Sequence, residues 1–321
     1  MWGLFYAWLY GHYVGSSGRF ILYLCALMRS ALFIAGLFAV LLSLAGCDAC
    51  KKMAKSKDLA LKDSAAYCYY DKKQYESAAL LLEELLGIYP PGEKSEKTLF
   101  YLANAKFFSG EMISASFLYN EFIQRYPSSR RAPDVHYQLA ETHVNMSPSF
   151  YLDQGDTKKA IERLQLFIEL YPQDERVPEA TKTLDEMRDK LAEKMYTQAD
   201  LYLKIYHFQS AVLYLQAVIQ EYPDSRFREA AQYKLFKAQV YYADNSVAEK
   251  RLERYEEAQA LYLKFIDKFP ESKYIRPAES LYAGLDKKIR LVKAGDEESL
   301  KKETKNRRGR RRIDEEEKEK K

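Results

Sequence analysis

The sequence predicts an all-α fold built from about five antiparallel helix pairs. One nine-residue phrase recurs as EFIQRYPSS at 121–129, LFIELYPQD at 166–174, AVIQEYPDS at 217–225 and KFIDKFPES at 264–272, with a more divergent copy, ELLGIYPPG, at 84–92. Repetition of this kind is typical of a solenoid, in which each repeat buries its apolar face against its neighbours. We therefore expect one helical unit built five times.

Each copy of the phrase marks the end of a helix. An alanine stands twelve residues before the proline of every copy, and large apolar residues follow that alanine four, seven and eleven positions later. These offsets lie on one face of an α-helix. The proline then ends the helix, because it lacks the backbone N–H that the next turn requires. The alanines are Ala78, Ala115, Ala160, Ala211 and Ala258, and the prolines are Pro90, Pro127, Pro172, Pro223 and Pro270.

A second alanine marks the first helix of each pair. It stands twelve residues before the other alanine in three repeats and twenty before it in two, where eight residues lengthen the internal loop. These first-helix alanines are Ala66, Ala103, Ala140, Ala199 and Ala238. The pattern resembles the tetratricopeptide repeat, in which small residues let two helices approach closely. The resemblance implies helix pairs stacked into a right-handed superhelix.

The segment between the third and fourth repeats is predicted to be one continuous helix. Residues 179–205 read EATKTLDEMRDKLAEKMYTQADLYLKI and contain neither glycine nor proline. At 1.5 Å per residue, such a helix is about 40 Å long. We expect it to join repeats three and four rigidly.

The N-terminus carries the pattern of an export signal. Met28, Arg29 and Ser30 precede the 15-residue apolar run ALFIAGLFAVLLSLA. The run is too short for a membrane-spanning helix and suits a cleaved signal peptide. We interpret Met28 as the start and residues 1–27 as an upstream extension. The alternative is an unusually long signal region or a two-part anchor.

The apolar run ends in LAGC, residues 44–47, which resembles the bacterial lipoprotein box. In that box, cleavage exposes a cysteine whose thiol carries a lipid. The sequence therefore predicts lipidation, with palmitate-type chains, at Cys47. The alternative is an ordinary signal followed by a chance cysteine. Each buried methylene contributes about 0.8 kcal/mol, so two or three acyl chains hold a domain firmly on a bilayer.

Two cysteines follow Cys47, which is too few for a disulfide scaffold. Cys50 lies in the predicted tether, and Cys68 lies in an apolar helix. A disulfide between them is possible, but the sequence does not lead us to expect one.

Composition argues against two classes of function. Residues 47–292 carry a formal charge of about −1, so the body of the chain gives no reason to expect a nucleic-acid partner. The sequence after Cys47 contains no phosphate-binding glycine loop, GxSxG, HExxH or CxxC motif, so we expect neither catalysis nor a cofactor. His136 and His143 share a face of one predicted helix. We interpret them as ordinary surface residues, since a metal site needs closer spacing and more ligands.

The repeats, the LAGC sequence and the long helix together resemble the BamD-like family of outer-membrane assembly lipoproteins. The resemblance covers about residues 47–292 and is most specific in EATKTLDEMRDKLAEKMYTQADLY and the following YHFQSAVLYLQAVIQEYPDS. The longer loop in repeat five and the charged tail after Val292 depart from the family pattern. The resemblance implies a non-catalytic scaffold, lipid-anchored on the periplasmic face of the outer membrane. Its implied partners are unfolded outer-membrane barrel proteins and the periplasmic domains of the barrel-forming assembly subunit.

The resemblance also implies where these partners bind. In the family, the N-terminal repeats are thought to receive an extended peptide signal, and aromatic, amide and acidic side chains suit such a ligand. Counting from the small residue of each first helix, the candidate groove residues are Asp63, Tyr67, Tyr70, Phe100, Asn104, Phe107, Tyr137 and Glu141. The alternative is that several of them only pack between helices.

The C-terminal repeats are implied to bind the barrel-forming subunit. The turn at 223–229 offers Arg226 and Arg228, which we expect to be exposed and suited to bidentate pairing with carboxylates. An alternative function is a periplasmic tetratricopeptide lipoprotein that organises cell-division, peptidoglycan or pilus machinery. The long joining helix counts against it. Glycan-capture lipoproteins share a similar scaffold but are generally longer.

The predicted organisation has six parts. They are an upstream extension (1–27), a signal peptide (28–46), a tether (47–56), N-terminal repeats (57–175), C-terminal repeats with a final helix (176–292) and a charged disordered tail (293–321). The alternative for the tail is a dock for an anionic partner or a membrane surface.

Overall fold

The computed structural model describes residues 49–296 and 298–305, and these residues form helices and connecting turns without a strand. The predicted extension, signal peptide and lipidation site at Cys47 lie outside the described residues. The principal helices are α1 (Leu59–Asp71), α2 (Tyr75–Ile88), α3 (Glu93–Phe108), α4 (Met112–Arg125), α5 (Ala132–Met146), α6 (Gly155–Leu170), α7 (Val177–Lys204), α8 (Phe208–Glu221), α9 (Arg228–Asp244), α10 (Ala248–Lys268) and α11 (Ile275–Lys293). The predicted all-α class is confirmed.

The chain divides into two compact units, with unit 1 ending at Ser129 and unit 2 beginning at Arg130. This division falls one repeat earlier than the boundary at 175 that the sequence suggested. Unit 1 contains the pairs α1–α2 and α3–α4. Its core is built where the alanine pattern predicts: Ala66, Ala78 and Leu82 have no exposed surface. An alanine without a longer side chain lets the paired helices approach, and the large apolar residues of the next turns fill the space beside it.

Unit 2 contains three further pairs and a final helix. Helix α7 runs unbroken from Val177 to Lys204, so the predicted continuous helix is confirmed. Its neighbours are α6 before it and α8 after it in the chain, and it packs against both. The same helix therefore belongs to the third and fourth repeats. The pairs α7–α8 and α9–α10 complete the five that the sequence predicts, and α11 packs on α10.

The repeated proline ends the second helix of each pair. Helices α2, α4, α6, α8 and α10 all stop at the aromatic residue directly before it, whose backbone leaves the helical region. That aromatic N–H still donates to a carbonyl four residues back, for example from Tyr171 to Phe167 at 2.9 Å. The proline ring then excludes another helical turn.

The predicted tether is partly folded. Residues 49–54 are helical, Cys50 is fully buried, and its Sγ is bonded to that of Cys68 in α1. The expectation of no disulfide was therefore wrong. Nothing local in the sequence reveals this bond, because it requires the tether to fold back alongside α1 and place Cα atoms 18 positions apart in the sequence within 5.9 Å.

Removing this disulfide should destabilise unit 1. The bond closes a loop of 18 residues, and a loop of this size restricts the unfolded chain enough to contribute about 3 kcal/mol. We expect Cys50→Ser/Cys68→Ser to lower the free energy of unfolding of unit 1 by that amount in urea titrations. The control is the wild type in dithiothreitol, which reduces the disulfide and should therefore cause the same loss of stability. An unchanged midpoint in both would contradict the prediction.

The first part of the segment predicted to be a disordered tail contains a helix. Residues 298–305 are helical, and Leu300 is 2% exposed, packed in the cluster that contains Leu281, Leu285 and Ile289. One apolar residue in a charged segment is weak evidence for a buried position. Here Leu300 packs against apolar residues of α11 and belongs to the same core. Residues 306–321 lie outside the described part.

Among the described residues, none of the helices combines the length and apolar character needed to cross a membrane.

Candidate functional site: an aromatic surface and an arginine cleft

The predicted groove residues of unit 1 bring aromatic rings together. Tyr67 and Tyr70 in α1 each meet Tyr101 of α3 edge-to-face, with ring centroids 4.9 Å apart in both pairs. Tyr70 also contacts Tyr75 at 5.4 Å. We call Tyr67, Tyr70, Tyr75 and Tyr101 the aromatic cluster. Its rings are half-buried, so they present faces and edges to a ligand while their geometry is fixed by one another.

Polar groups surround Tyr67. The Lys97 ammonium lies 4.0 Å from the centre of its ring, within cation–π distance. Asp63, one turn earlier in α1, accepts a hydrogen bond of 3.3 Å from the Tyr89 hydroxyl. Burial, and secondly the charge of Asp63, raises the pKa of Tyr67 to about 12. The hydroxyl therefore stays neutral at physiological pH and can donate a hydrogen bond.

Asn104 lies beneath this surface rather than in it. Its side chain is buried, and its Oδ1 accepts a hydrogen bond of 2.7 Å from the Tyr119 hydroxyl. It also bonds to Tyr70, whose pKa burial raises to about 12. The sequence predicted an amide open to a peptide. The structure instead shows a buried amide whose hydrogen bonds go to two tyrosines, Tyr119 and Tyr70.

The two phenylalanines differ in their surroundings. Phe100 is half-buried, 5.5 Å from Tyr101 and 6.2 Å from Phe122 of α4. Phe107 is half-buried beside Phe108, at 5.3 Å between ring centroids. Phe108 is itself 49% exposed and stacks on Tyr75 at 5.0 Å. It extends the aromatic surface to the end of α3, although its distance from Ala103 did not place it among the predicted groove residues.

Sequence reasoning also missed two apolar side chains on α4. Ile113 and Phe117 are 81% and 69% exposed. They stand two residues before and two residues after Ala115, outside the predicted core face. Large apolar residues that do not lie on the repeated core face could therefore have been predicted to be exposed.

In unit 2, Tyr137 is a packing residue held by an arginine. It is 9% exposed, its ring lies 5.2 Å from that of Phe167, and the Arg176 guanidinium sits 5.0 Å above it. Arg176 forms ion pairs of 2.9 Å with Asp134 and 2.7 Å with Asp174. Its hydrogen bond to Asp174 lowers the pKa of that carboxyl to about 2.

Glu141 is half-buried one turn after Tyr137 in α5. Burial, and secondly the nearby charge of Glu179, raises its pKa. The Tyr137 hydroxyl is hydrogen-bonded to Glu179. The acidic character expected of a groove wall is present at this position, whereas the aromatic ring is mostly core.

Arg226 lies at the mouth of a cleft in unit 2. Its backbone N–H donates to Asp189 at 3.2 Å, and its Nη2 lies 3.1 Å from Glu193, both in α7. Its side chain is still 65% exposed. The cleft has a volume of about 500 Å³ and is lined by residues 147–151, by α7 and by Arg226. A carboxylate from a partner could therefore replace the internal acids around this guanidinium.

The other wall of the cleft is the internal loop of the third repeat, which is one of the two loops lengthened by eight residues. Lys190 and Lys194 of α7 hold it, by bonds of 2.7 Å to the Ser147 hydroxyl and 2.6 Å to the Leu152 carbonyl. The buried Gln154 amide donates to Ser149 O at 2.9 Å and Leu152 O at 3.0 Å. The loop therefore has a defined shape.

Arg228 departs from the prediction that it is exposed. It is half-buried at the start of α9, and its Nε is buried without a hydrogen-bond partner among the described residues. The turn before it directs Arg226 outward and Arg228 inward. Arg226 alone therefore fits the predicted role of an exposed charge.

The two histidines of α5 are also buried, so their interpretation as surface residues was wrong. His136 and His143 are 9% and 5% exposed, and His143 Nδ1 lies 3.5 Å from Asp156. Burial lowers the pKa of both. No group of metal-binding side chains is found in the described part of the chain.

Unit 2 should lose stability on mild acidification. An unfolded histidine titrates near 6.5, and the folded pKa of both residues lies lower, so between those values only the unfolded chain binds the proton. Stability therefore falls as pH drops below about 6.5, by up to about 1.4 kcal/mol per pH unit for each histidine. We expect this slope in urea titrations at several pH values.

His136→Gln/His143→Gln is the control for this prediction. The variant keeps Glu141, whose raised pKa acts in the opposite direction. Its stability should change less between pH 6.5 and 5 than that of the wild type. Equal slopes would contradict the histidine origin.

Comparison with known proteins assigns the family. The family model YfiO, described as an outer membrane lipoprotein, matches residues 63–251. The chain belongs to the YfiO family. Both the aromatic cluster and the Arg226 cleft lie inside the matched residues. A tetratricopeptide repeat model matches residues 246–272 in the fifth repeat. The resemblance to BamD-like tetratricopeptide lipoproteins is thereby confirmed.

Two curated relatives of this YfiO-family chain are described as outer membrane protein assembly factor BamD. The protein from Xylella fastidiosa strain Temecula1 is 22% identical over 194 residues, which cover 57% of this chain and 66% of that protein. The Caulobacter vibrioides protein is 24% identical over 229 residues, which cover 69% of this chain and 74% of that protein. The chain thus spans slightly under two thirds of the former.

Solved tetratricopeptide structures are more distant. YrrB, described as a tetratricopeptide protein with an unusual peptide-binding site, is 16% identical, with 72% of this chain and 98% of YrrB covered and a TM-score of 0.29.

Proposed function

We propose that this chain is a non-catalytic scaffold of the outer-membrane β-barrel assembly machinery. In this proposal, lipid on Cys47 anchors it to the periplasmic face of the outer membrane. The observation that carries the proposal is the family match over residues 63–251, which includes the two surfaces described above. The name of the curated relatives supports the assembly role.

The aromatic surface of unit 1 is proposed to receive unfolded barrel proteins. Barrel strands alternate apolar and polar side chains, and the apolar ones suit the half-buried rings of the cluster. Neutral tyrosine hydroxyls, Asp63 and Lys97 supply donors and acceptors for the polar positions and the peptide backbone. Because the rings already contact one another, little side-chain freedom is lost on binding.

The Arg226 cleft of unit 2 is proposed to bind the periplasmic domains of the barrel-forming subunit. An exposed guanidinium with a fixed backbone can form two parallel bonds with a carboxylate. The loop at 147–151 adds Tyr151, which is 69% exposed, as an apolar contact beside the charge. This combination of arginine and tyrosine is typical of the residues that dominate protein interfaces.

A peptide-binding experiment tests the role of unit 1. The probe is a fluorescent peptide with the C-terminal strand sequence of an outer-membrane barrel protein, followed by anisotropy. Tyr67→Leu keeps apolar volume but removes the ring from Lys97 and Tyr101, and it should weaken binding about tenfold or more. Tyr151→Leu, in unit 2, is the matched control and should bind as the wild type does. Equal affinity of both variants would contradict the assignment of this surface.

A further inference from the structure

The disulfide places the lipid attachment point beside a basic surface. Residues 49–57 contain four lysines and no acidic residue. Cys50 is bonded to Cys68, three residues before the end of α1. Cys47 is three residues from Cys50, which is at most about 10 Å of chain whatever its conformation. A lipid on Cys47 would therefore emerge close to this end of α1.

The helical turns at 49–54 have two different faces. At 100° per residue, Cys50, Met53 and Ala54 fall on one side, and they are the buried or half-buried residues. Lys51 and Lys52 fall on the other side and are exposed, as is Lys55 one turn later. The disulfide thus fixes which side of the segment points away from α1.

A second pair of lysines lies at the same end of α1. Lys72 follows Cys68 by four residues, about 6 Å along the helix axis, and its N–H donates to the Cys68 carbonyl at 3.3 Å. Lys73 follows with a positive φ of 59°, which ends the helix. Both are exposed. The Cα atoms of Cys50 and Cys68 are 5.9 Å apart, so Lys51, Lys52, Lys72 and Lys73 converge near the attachment point.

We propose that these lysines, with Lys55, form a docking surface for the anionic headgroups of the bilayer that holds the lipid anchor. The inference rests on lipidation at Cys47, as proposed above. Each lysine beside a membrane strengthens binding to an anionic surface about fivefold. The effect requires the lysine to lie within about a Debye length of that surface. A bilayer reached through a three-residue linker meets that condition.

The test uses the lipidated full-length protein in vesicles of phosphatidylcholine alone or with 30% phosphatidylglycerol. Lysine reactivity toward a water-soluble acetylating ester is measured by mass spectrometry. A surface potential of about −30 mV raises the local proton concentration about threefold, and contact with headgroups slows the reaction further. We expect Lys51, Lys52 and Lys73 to react at least threefold more slowly on the anionic vesicles. Lys182 and Lys204 of unit 2, whose side chains are 79% and 75% exposed, are the controls.

Salt and flotation separate the outcomes. At about 0.5 M NaCl the difference should disappear, because the screening length falls to about 4 Å. Equal rates on both vesicles, or the same slowing at Lys182, would overturn the docking surface while leaving the anchor intact. Failure of the chain to float with neutral vesicles would instead refute lipidation, and the inference with it.

Discussion

Replacing Asp244 with alanine should destabilise unit 2 by about 3–5 kcal/mol. Asp244 Oδ1 lies 2.6 Å from Lys288 Nζ, and the two side chains are 6% and 1% exposed. The same oxygen accepts a hydrogen bond of 2.8 Å from the Tyr255 hydroxyl. Asp244 therefore connects its own helix, α9, to α11 through Lys288 and to α10 through Tyr255. Removing the carboxylate would take a counter-charge at 2.6 Å away from an ammonium that is 1% exposed, and breaking a buried ion pair is among the largest penalties for a single substitution.

Two controls separate the charge effect from loss of packing. Asp244→Asn/Lys288→Met removes both charges at similar volume and should be far less harmful than Asp244→Ala, because no charge stays buried. Glu186→Ala breaks the exposed pair with Lys182 at 3.9 Å and should change stability by less than about 0.5 kcal/mol. Urea titrations followed by circular dichroism measure all three. Equal losses for the single and double variants at this site would contradict the account.

Charge reversal at Arg226 should abolish most binding of the barrel-forming subunit to this chain. In the free chain Arg226 rests on Asp189 and Glu193, so a bound carboxylate would share or replace contacts that already exist. Glutamate at this position would place a third acid beside those two and repel the partner. We expect Arg226→Glu to weaken binding of the purified periplasmic domains about 100-fold or more.

The matched control for Arg226→Glu is Arg276→Glu. Arg276 is exposed in α11 of the same unit, outside the residues that line the cleft, and the substitution changes the net charge equally. It should bind within about twofold of the wild type. Calorimetry at two salt concentrations would show whether the effect is local. A similar loss in both variants would indicate a general charge effect and contradict the assigned cleft.

Local periodicity explains why the helices could be predicted. The alanine and proline spacings act within one helix pair, and the absence of glycine and proline from 179–205 suffices for α7. Features that depend on residues far apart in the sequence could not be predicted in this way. The buried Asn104 oxygen, for example, has its hydrogen-bond donor in Tyr119, fifteen residues later.

The candidate surfaces were predicted only in part. Tyr67 and Tyr70 were found because they follow the repeat register, whereas the burial of Arg228 depends on how the preceding turn folds. The acids around Arg226 lie 33 and 37 positions earlier in the chain. These acids lie near Arg226 because α7 packs against the following repeat. Local patterns in one sequence do not predict that contact.

The most direct test of the assembly role is recovery of partners from the membrane. The tagged, lipidated chain would be purified from gently solubilised outer membranes, and the proteins that accompany it identified by mass spectrometry, with Arg226→Glu in parallel. The account predicts a large barrel protein with periplasmic domains in the wild-type sample and its depletion in the variant sample. Recovery of only cell-division, peptidoglycan or pilus proteins would contradict it and favour a different scaffold function on the same fold.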